Sequence, residues 1–125
     1  MQRRVIAAII ILGIVVAVYF TGQTYIKNTC KEANELLESC DSVYKADKNA
    51  KKDAKKLQKF WTDNEGKLSV FANHQRIDDI ELAISSLVTY SDTDDNKIYD
   101  EYSSTVKTLL HLMIEDISIN MHSIL

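Results

Sequence analysis

The side chains of this chain best suited to chemistry are two histidines and a scatter of carboxylates. His74, Asp78, Glu81, His111 and Glu115 are residue types that bind a borderline metal through mixed nitrogen and oxygen ligands. His74 lies three residues after Phe71 and three before Ile77, which on one helix places it on or beside the apolar face. Asp78 follows His74 by one turn, and Glu115 follows His111 by one turn. If the two segments run antiparallel about a turn near residues 92–93, equal rise per residue brings His74 and His111 to one level. Metal-holding bundles use more inward carboxylates than this. More plainly, His74, Ile77 and Asp78 join Trp61 as structural residues, with His74 bonded to a carboxylate or a backbone carbonyl. No cofactor is expected.

Two further clusters carry charge. The stretch "DTDDNKIYDE", residues 92–101, places Asp92, Asp94 and Asn96 at alternate positions, as a calcium loop does. Lys97 stands where the sharp turn needs glycine, and Ser103 where the loop needs a bidentate glutamate. A cap is the better account: Asp94 or Asp95 opens the last helix, whose positive end favours acids. Residues 45–59, "KADKNAKKDAKKLQK", hold seven lysines against two aspartates, net +5. Lys48, Lys51, Lys52, Lys55, Lys56 and Lys59 are candidate contacts for anionic lipid headgroups or an envelope polyanion. A solvated helix face explains them equally simply. Residues 63–101 carry ten acids and three bases, net −7, so the two blocks attract each other within one chain or between copies. The whole chain is at −3, which excludes nucleic-acid binding by bulk electrostatics.

No Ser/His/acid or Cys/His catalytic pattern, phosphate-cradling glycine loop or CxxC pair is present. A non-enzymatic protein is therefore expected. Cys30 and Cys40 are ten residues apart, about 15 Å along one helix, too far for a disulfide.

The elements that must carry these residues are helices. Proline is absent and glycine occurs three times, so the punctuation that separates strands is missing. Ile26, Cys30, Ala33, Leu37, Cys40 and Tyr44 alternate steps of four and three, one helix face, with Lys31, Glu32, Glu35, Glu38 and Asp41 opposite. A second helix turns back after about residue 45, with Ala46, Ala50, Ala54, Leu57, Phe60 and Trp61 along its stripe. "TDNEGK", residues 62–67, predicts a kink or short turn, because Thr62 and Glu65 have capping-box spacing and Gly66 weakens a helix; an unbroken helix is the alternative. Leu68, Phe71, Ile77, Ile80, Ile84, Leu87 and Val88 form a third face. The last helix carries Ile98, Tyr102, Val106, Leu109, Leu110, Met113, Ile117 and Met121.

The chain opens with "RRVIAAIIILGIVVAVYF", residues 3–20. Residues 5–20 would rise about 24 Å as a helix, and continuation through Ile26 carries the rod past the ~30 Å hydrocarbon core. Membrane lipid is then the partner of residues 5–26. A cleaved signal peptide and a buried core helix are the alternatives; the unbroken length favours a permanent anchor. Arg3, Arg4 and the terminal amine outweigh Lys27 and Lys31 with Glu32 beside them, so the N-terminus is expected in the cytoplasm and the body outside the cell membrane. The expectation is an all-α protein: an N-terminal transmembrane anchor at 1–26 extending into an extracytoplasmic three- or four-helix antiparallel bundle at 27–125. Such a body binds a membrane-protein partner or a second copy of itself. A ligand- or metal-sensing bundle and a polyanion- or headgroup-binding body are the alternatives.

Trp61, Asn73-His74, Ile77-Asp78 and Ile80 resemble the pattern of a small bacterial family catalogued as domain of unknown function 4363. Chain length, the N-terminal apolar helix and the Ile-Leu ending are similar too. The resemblance implies an envelope protein of Gram-positive bacteria, working beside another small membrane protein, and brings no catalytic residues.

Overall fold

The computed structural model describes residues 2–124, with side-chain surroundings through Ile117. Four helices follow one another: α1 Gln2–Asp47, α2 Lys51–Phe71, α3 His74–Tyr90 and α4 Asn96–Ile124. Each packs against its neighbours in sequence, and α4 closes back on α1. This is the up-and-down four-helix bundle that short connections dictate.

The core is the stripe that the periodicity predicts. Ile26, Cys30, Ala33, Leu37, Cys40 and Tyr44 of α1 are buried, as are Leu57, Trp61 and Leu68 of α2, Ile77, Ile80, Ile84 and Leu87 of α3, and Val106, Leu110, Met113 and Ile117 of α4. Met121 lies outside the described side chains. Ala46 is exposed because it belongs to the last turn of α1 rather than to α2.

The corners are built from local chemistry. Lys48 ends α1 in the left-handed region, φ 55°, and its N–H donates to Tyr44 O at 2.7 Å. Glycine usually occupies such a position. Ala50 N–H donates to Ser91 O at 2.8 Å, tying the first corner to the third. Asn73 caps α3 through its side-chain oxygen, which accepts from Gln75 N at 2.8 Å. Asp95 Oδ1 accepts from Lys97 N and Ile98 N at the start of α4, so the acidic loop is a helix cap.

Residues 62–67 do not interrupt α2, contrary to expectation. Thr62, the expected cap, bonds the existing helix instead: its Oγ1 donates to Gln58 O, and Asn64 Nδ2 likewise donates to Phe60 O. Gly66 weakens the helix by about 1 kcal/mol, which burial of Trp61 and Leu68 on either side outweighs. The chain turns at Ala72–Asn73, where Ala72 is extended (ψ 164°) and Asn73 restarts the helix.

The N-terminal part of α1 stands apart from this packing. Its large apolar side chains from Val5 to Phe20 are 44–64 % exposed, and the stretch is long and apolar enough to cross a membrane.

Candidate functional site

Close packing on α1 begins at Gly22, one turn after Tyr19, which is already half-buried with its hydroxyl enclosed. A Cβ at Gly22 would overlap the Phe71 ring, so glycine lets the α2–α3 corner close onto α1 without displacing that ring. Just beyond it, Tyr25 Oη donates to Asn64 Oδ1 at 2.5 Å, and Ile26 is fully buried. The exposed rod therefore ends near Thr21, and Gly22 and Ile26 face protein. A cleft of about 280 Å³ opens at this neck, lined by Gln23, Phe71, Arg76, Met113, Asp116 and Ile117 among others. Arg76 Nε lies 3.1 Å from Asp116 Oδ2 across it.

The residues proposed for metal binding do not converge. Among the described residues no group of three His, Cys, Asp or Glu side chains could hold a metal ion. His74 and Asp78 are exposed, and so are His111 and Glu115; His111 Nε2 pairs instead with Glu115 at 3.0 Å. The register explains the separation. Arg76 meets Asp116 and Tyr90 stacks on Tyr102 at 5.2 Å, so the α3–α4 pairing pivots near residue 96, not 92–93. His111 is thereby offset from His74 by about 10 Å along the axis. Of the structural quartet, Trp61 and Ile77 are buried and joined, with Trp61 Nε1 donating to Ile77 O at 3.4 Å. His74 is not at the core edge: α2 ends before it, so the periodicity from Phe71 does not carry across.

The lysines face outward. Lys48, Lys52, Lys55, Lys56 and Lys59 are exposed, and Lys51 pairs with Asp92 at 3.3 Å, one bridge between the basic and acidic blocks. They line the half of α2 remote from Gly22.

The most connected polar group is one that periodicity assigns to the solvent face. Asp41, with its side chain 14 % exposed, accepts from Tyr99 Oη at 2.8 Å, from Ser103 Oγ at 2.8 and 2.9 Å, and pairs with Lys107 Nζ at 2.9 Å. Tyr99 stacks on Tyr44 with centroids 3.7 Å apart, and Tyr44 Oη donates to Thr93 O at 2.8 Å. Cys40 Sγ is 3.3 Å from Tyr99 Oη. Burial pushes the Cys30 thiol up to about 12 and raises the Cys40 thiol as well. Both cysteines are free and protonated at neutral pH, so neither is a ready nucleophile. The sequence signal for this clamp is the four-residue ladder Tyr99, Ser103, Lys107 on α4. Between α2 and α3, burial first, then the Glu81 and Asp78 carboxylates, raise the Glu65 carboxyl to about 7. One of its oxygens is buried without a partner.

No curated protein and no solved structure matches the chain significantly. A family model described as "Domain of unknown function (DUF4363)" matches residues 20–124, beginning where the exposed apolar run ends and covering the whole bundle. On that match the chain belongs to the DUF4363 family.

Proposed function

We propose that this protein is a single-pass, membrane-anchored helical interaction module without catalytic activity. Its N-terminus lies in the cytoplasm, its bundle lies outside the cell membrane, and it binds a membrane-protein partner or a second copy of itself. One observation carries the proposal: the apolar side chains of residues 5–20 stand exposed on the same helix whose other half lines the core. A bare apolar rod of this size is unstable in water and fits the hydrocarbon interior. Arg3 and Arg4 supply the cytoplasmic flank. Asp41, the most connected carboxylate, is engaged in holding α4 to α1, a structural use that favours recognition over a reaction.

The test is fractionation of cells expressing the chain with an N-terminal tag. The full-length chain is expected to stay in the membrane pellet after alkaline carbonate. Protease added outside intact protoplasts should remove the bundle and spare the tag. A soluble form lacking the first two dozen residues would identify a cleaved signal and refute the anchor.

A second reading rests on the outward row Lys52, Lys55, Lys56 and Lys59. In the register set by Gly22–Phe71 and Tyr25–Asn64, the Lys48–Lys59 block stands from about 15 to about 40 Å beyond the neck. That exceeds the ~8 Å screening length, so these lysines suit an envelope polyanion better than the headgroups of the anchoring bilayer. Retention on an immobilised anionic polymer, lost when the four become Gln, is the expected result; equal retention would refute it.

A further inference from the structure

Among the described residues, the bundle has an apolar feature at the neck that its own packing leaves uncovered. Val70 is 73 % exposed and Phe71 37 % exposed, adjacent at the end of α2. The Phe71 ring lies against Gly22. Gly22 follows Phe20, the last exposed apolar residue of the rod, by two positions. The corner therefore lies at the height where the rod meets the bundle.

That height can be compared with a bilayer. A hydrocarbon core of about 30 Å takes about 20 helical residues. Counted from Arg4, the first charged side chain before the run, it reaches to about residue 24. The plane through Gly22 then lies at or just inside the outer edge of the hydrocarbon. A tilted rod rises less per residue and brings the corner deeper, not shallower. The corner is suited to that position. Its two apolar side chains are flanked by Lys67 and His74, both exposed, polar groups at home among headgroups. By contrast Leu82 of α3, 68 % exposed, sits further along the bundle with no such relation to the rod.

We propose that the α2–α3 corner is a second membrane contact. Val70 and Phe71 insert into the outer lipid interface beside the rod and seat the bundle on the bilayer. The inference rests on the anchored reading of residues 5–20 and adds to it a fixed docking point contributed by the folded body.

The experiment uses the full chain reconstituted into phosphatidylcholine–phosphatidylglycerol vesicles. Val70→Cys, Leu82→Cys and Val16→Cys each carry an environment-sensitive fluorophore, and nitroxide lipids quench at shallow or deep positions. Cys30 and Cys40 are buried, so labelling goes to the introduced site, and unchanged Trp61 emission reports an intact bundle. The expected pattern is deep quenching at Val16, blue-shifted emission with shallow quenching at Val70, and an aqueous, unquenched Leu82. Deep quenching at Val16 with Val70 as aqueous as Leu82 overturns the docking point and leaves the anchor standing. An aqueous Val16 overturns the anchor and the docking point together. Quenching at Val70 and Leu82 alike means that the body lies on the membrane by its side, which also overturns a contact specific to the corner.

Discussion

Replacing Asp41 by alanine tests whether the α1–α4 seam is held by the carboxylate or merely decorated by it. Tyr99 and Ser103 are 1 % and 4 % exposed, so water cannot take over their hydroxyls. A bond to a buried charged acceptor contributes about 1.5–3 kcal/mol. Tyr99 bears the larger loss, since only Cys40 Sγ at 3.3 Å remains near its oxygen. Ser103 loses less, because a helical serine can turn back to the carbonyl four residues before it, as Thr105 does to Glu101 O. Lys107 is 47 % exposed and adds at most about 1 kcal/mol. The sum is about 3 kcal/mol for Asp41→Ala, and about half that for Asp41→Asn, which keeps one acceptor oxygen. Guanidinium unfolding of the full chain in mild detergent, followed by Trp61 fluorescence, measures both. In a double-mutant cycle with Tyr99→Phe a coupling above about 1 kcal/mol is expected, little changed by salt because the pair is shielded from solvent. Additive effects, or Asp41→Ala within about 0.5 kcal/mol of wild type, would refute this account of the seam.

Four further outcomes follow from single contacts. Gly22→Ala should lower stability by about 1–3 kcal/mol through overpacking against Phe71, and Phe71→Ala in the same chain should remove most of that penalty; thermal melts of the single and double variants decide. Glu65 has a folded pKa raised to about 7 from 4.5. The folded state therefore holds the extra proton, and its contribution is fully present below about pH 4.5 and lost as pH rises through about 7; the wild-type-minus-Glu65→Gln stability difference should fall across that window, and a flat difference would contradict it. Trp61→Ala should cost about 3 kcal/mol, read by far-UV circular dichroism; an unchanged melt would make Trp61 a surface contact. Cys30 and Cys40 should resist a thiol reagent until the chain is unfolded, and reaction of the native protein would contradict their burial.

What was legible in the sequence was whatever one helix decides alone. The α1 stripe from Ile26 to Tyr44 needs only the 3.6-residue period, and every member is buried. What depends on two helices meeting was not legible. Asp41 lies on the polar side of α1 by phase, and becomes largely enclosed only because the register of α4 brings Tyr99, Ser103 and Lys107 opposite it. Gly22 looks like a weak point in a rod until Phe71 arrives from α2. The His74–His111 level failed for the same reason in reverse. It assumed a pivot at 92–93, and the five-residue corner at 91–95, capped by Asp95, shifts the pairing. The turn expected at 62–67 failed because capping side chains have a second use, bonding carbonyls of the helix they sit in.

The geometry of α1 constrains any partner more than any single side chain does. Its 46 residues rise about 69 Å without a break, so no hinge separates the apolar half from the half that lines the core. The one glycine at the junction, Gly22, is the least free to bend, because the Phe71 ring lies against it and Tyr25 is tied to Asn64 one turn later. Bending there would have to open both contacts at once. On the anchored reading, the bundle is then held within a narrow range of heights, its far corner at Lys48 about 40 Å from the neck. A tethered head on a flexible linker searches a volume, and its binding strength depends on linker length. A rigid rod presents each face within a narrow range of heights, so a partner must already have a matching surface at that distance from the bilayer. This favours a partner that is itself membrane-held, a second copy included, over a soluble ligand, for which fixed height confers nothing.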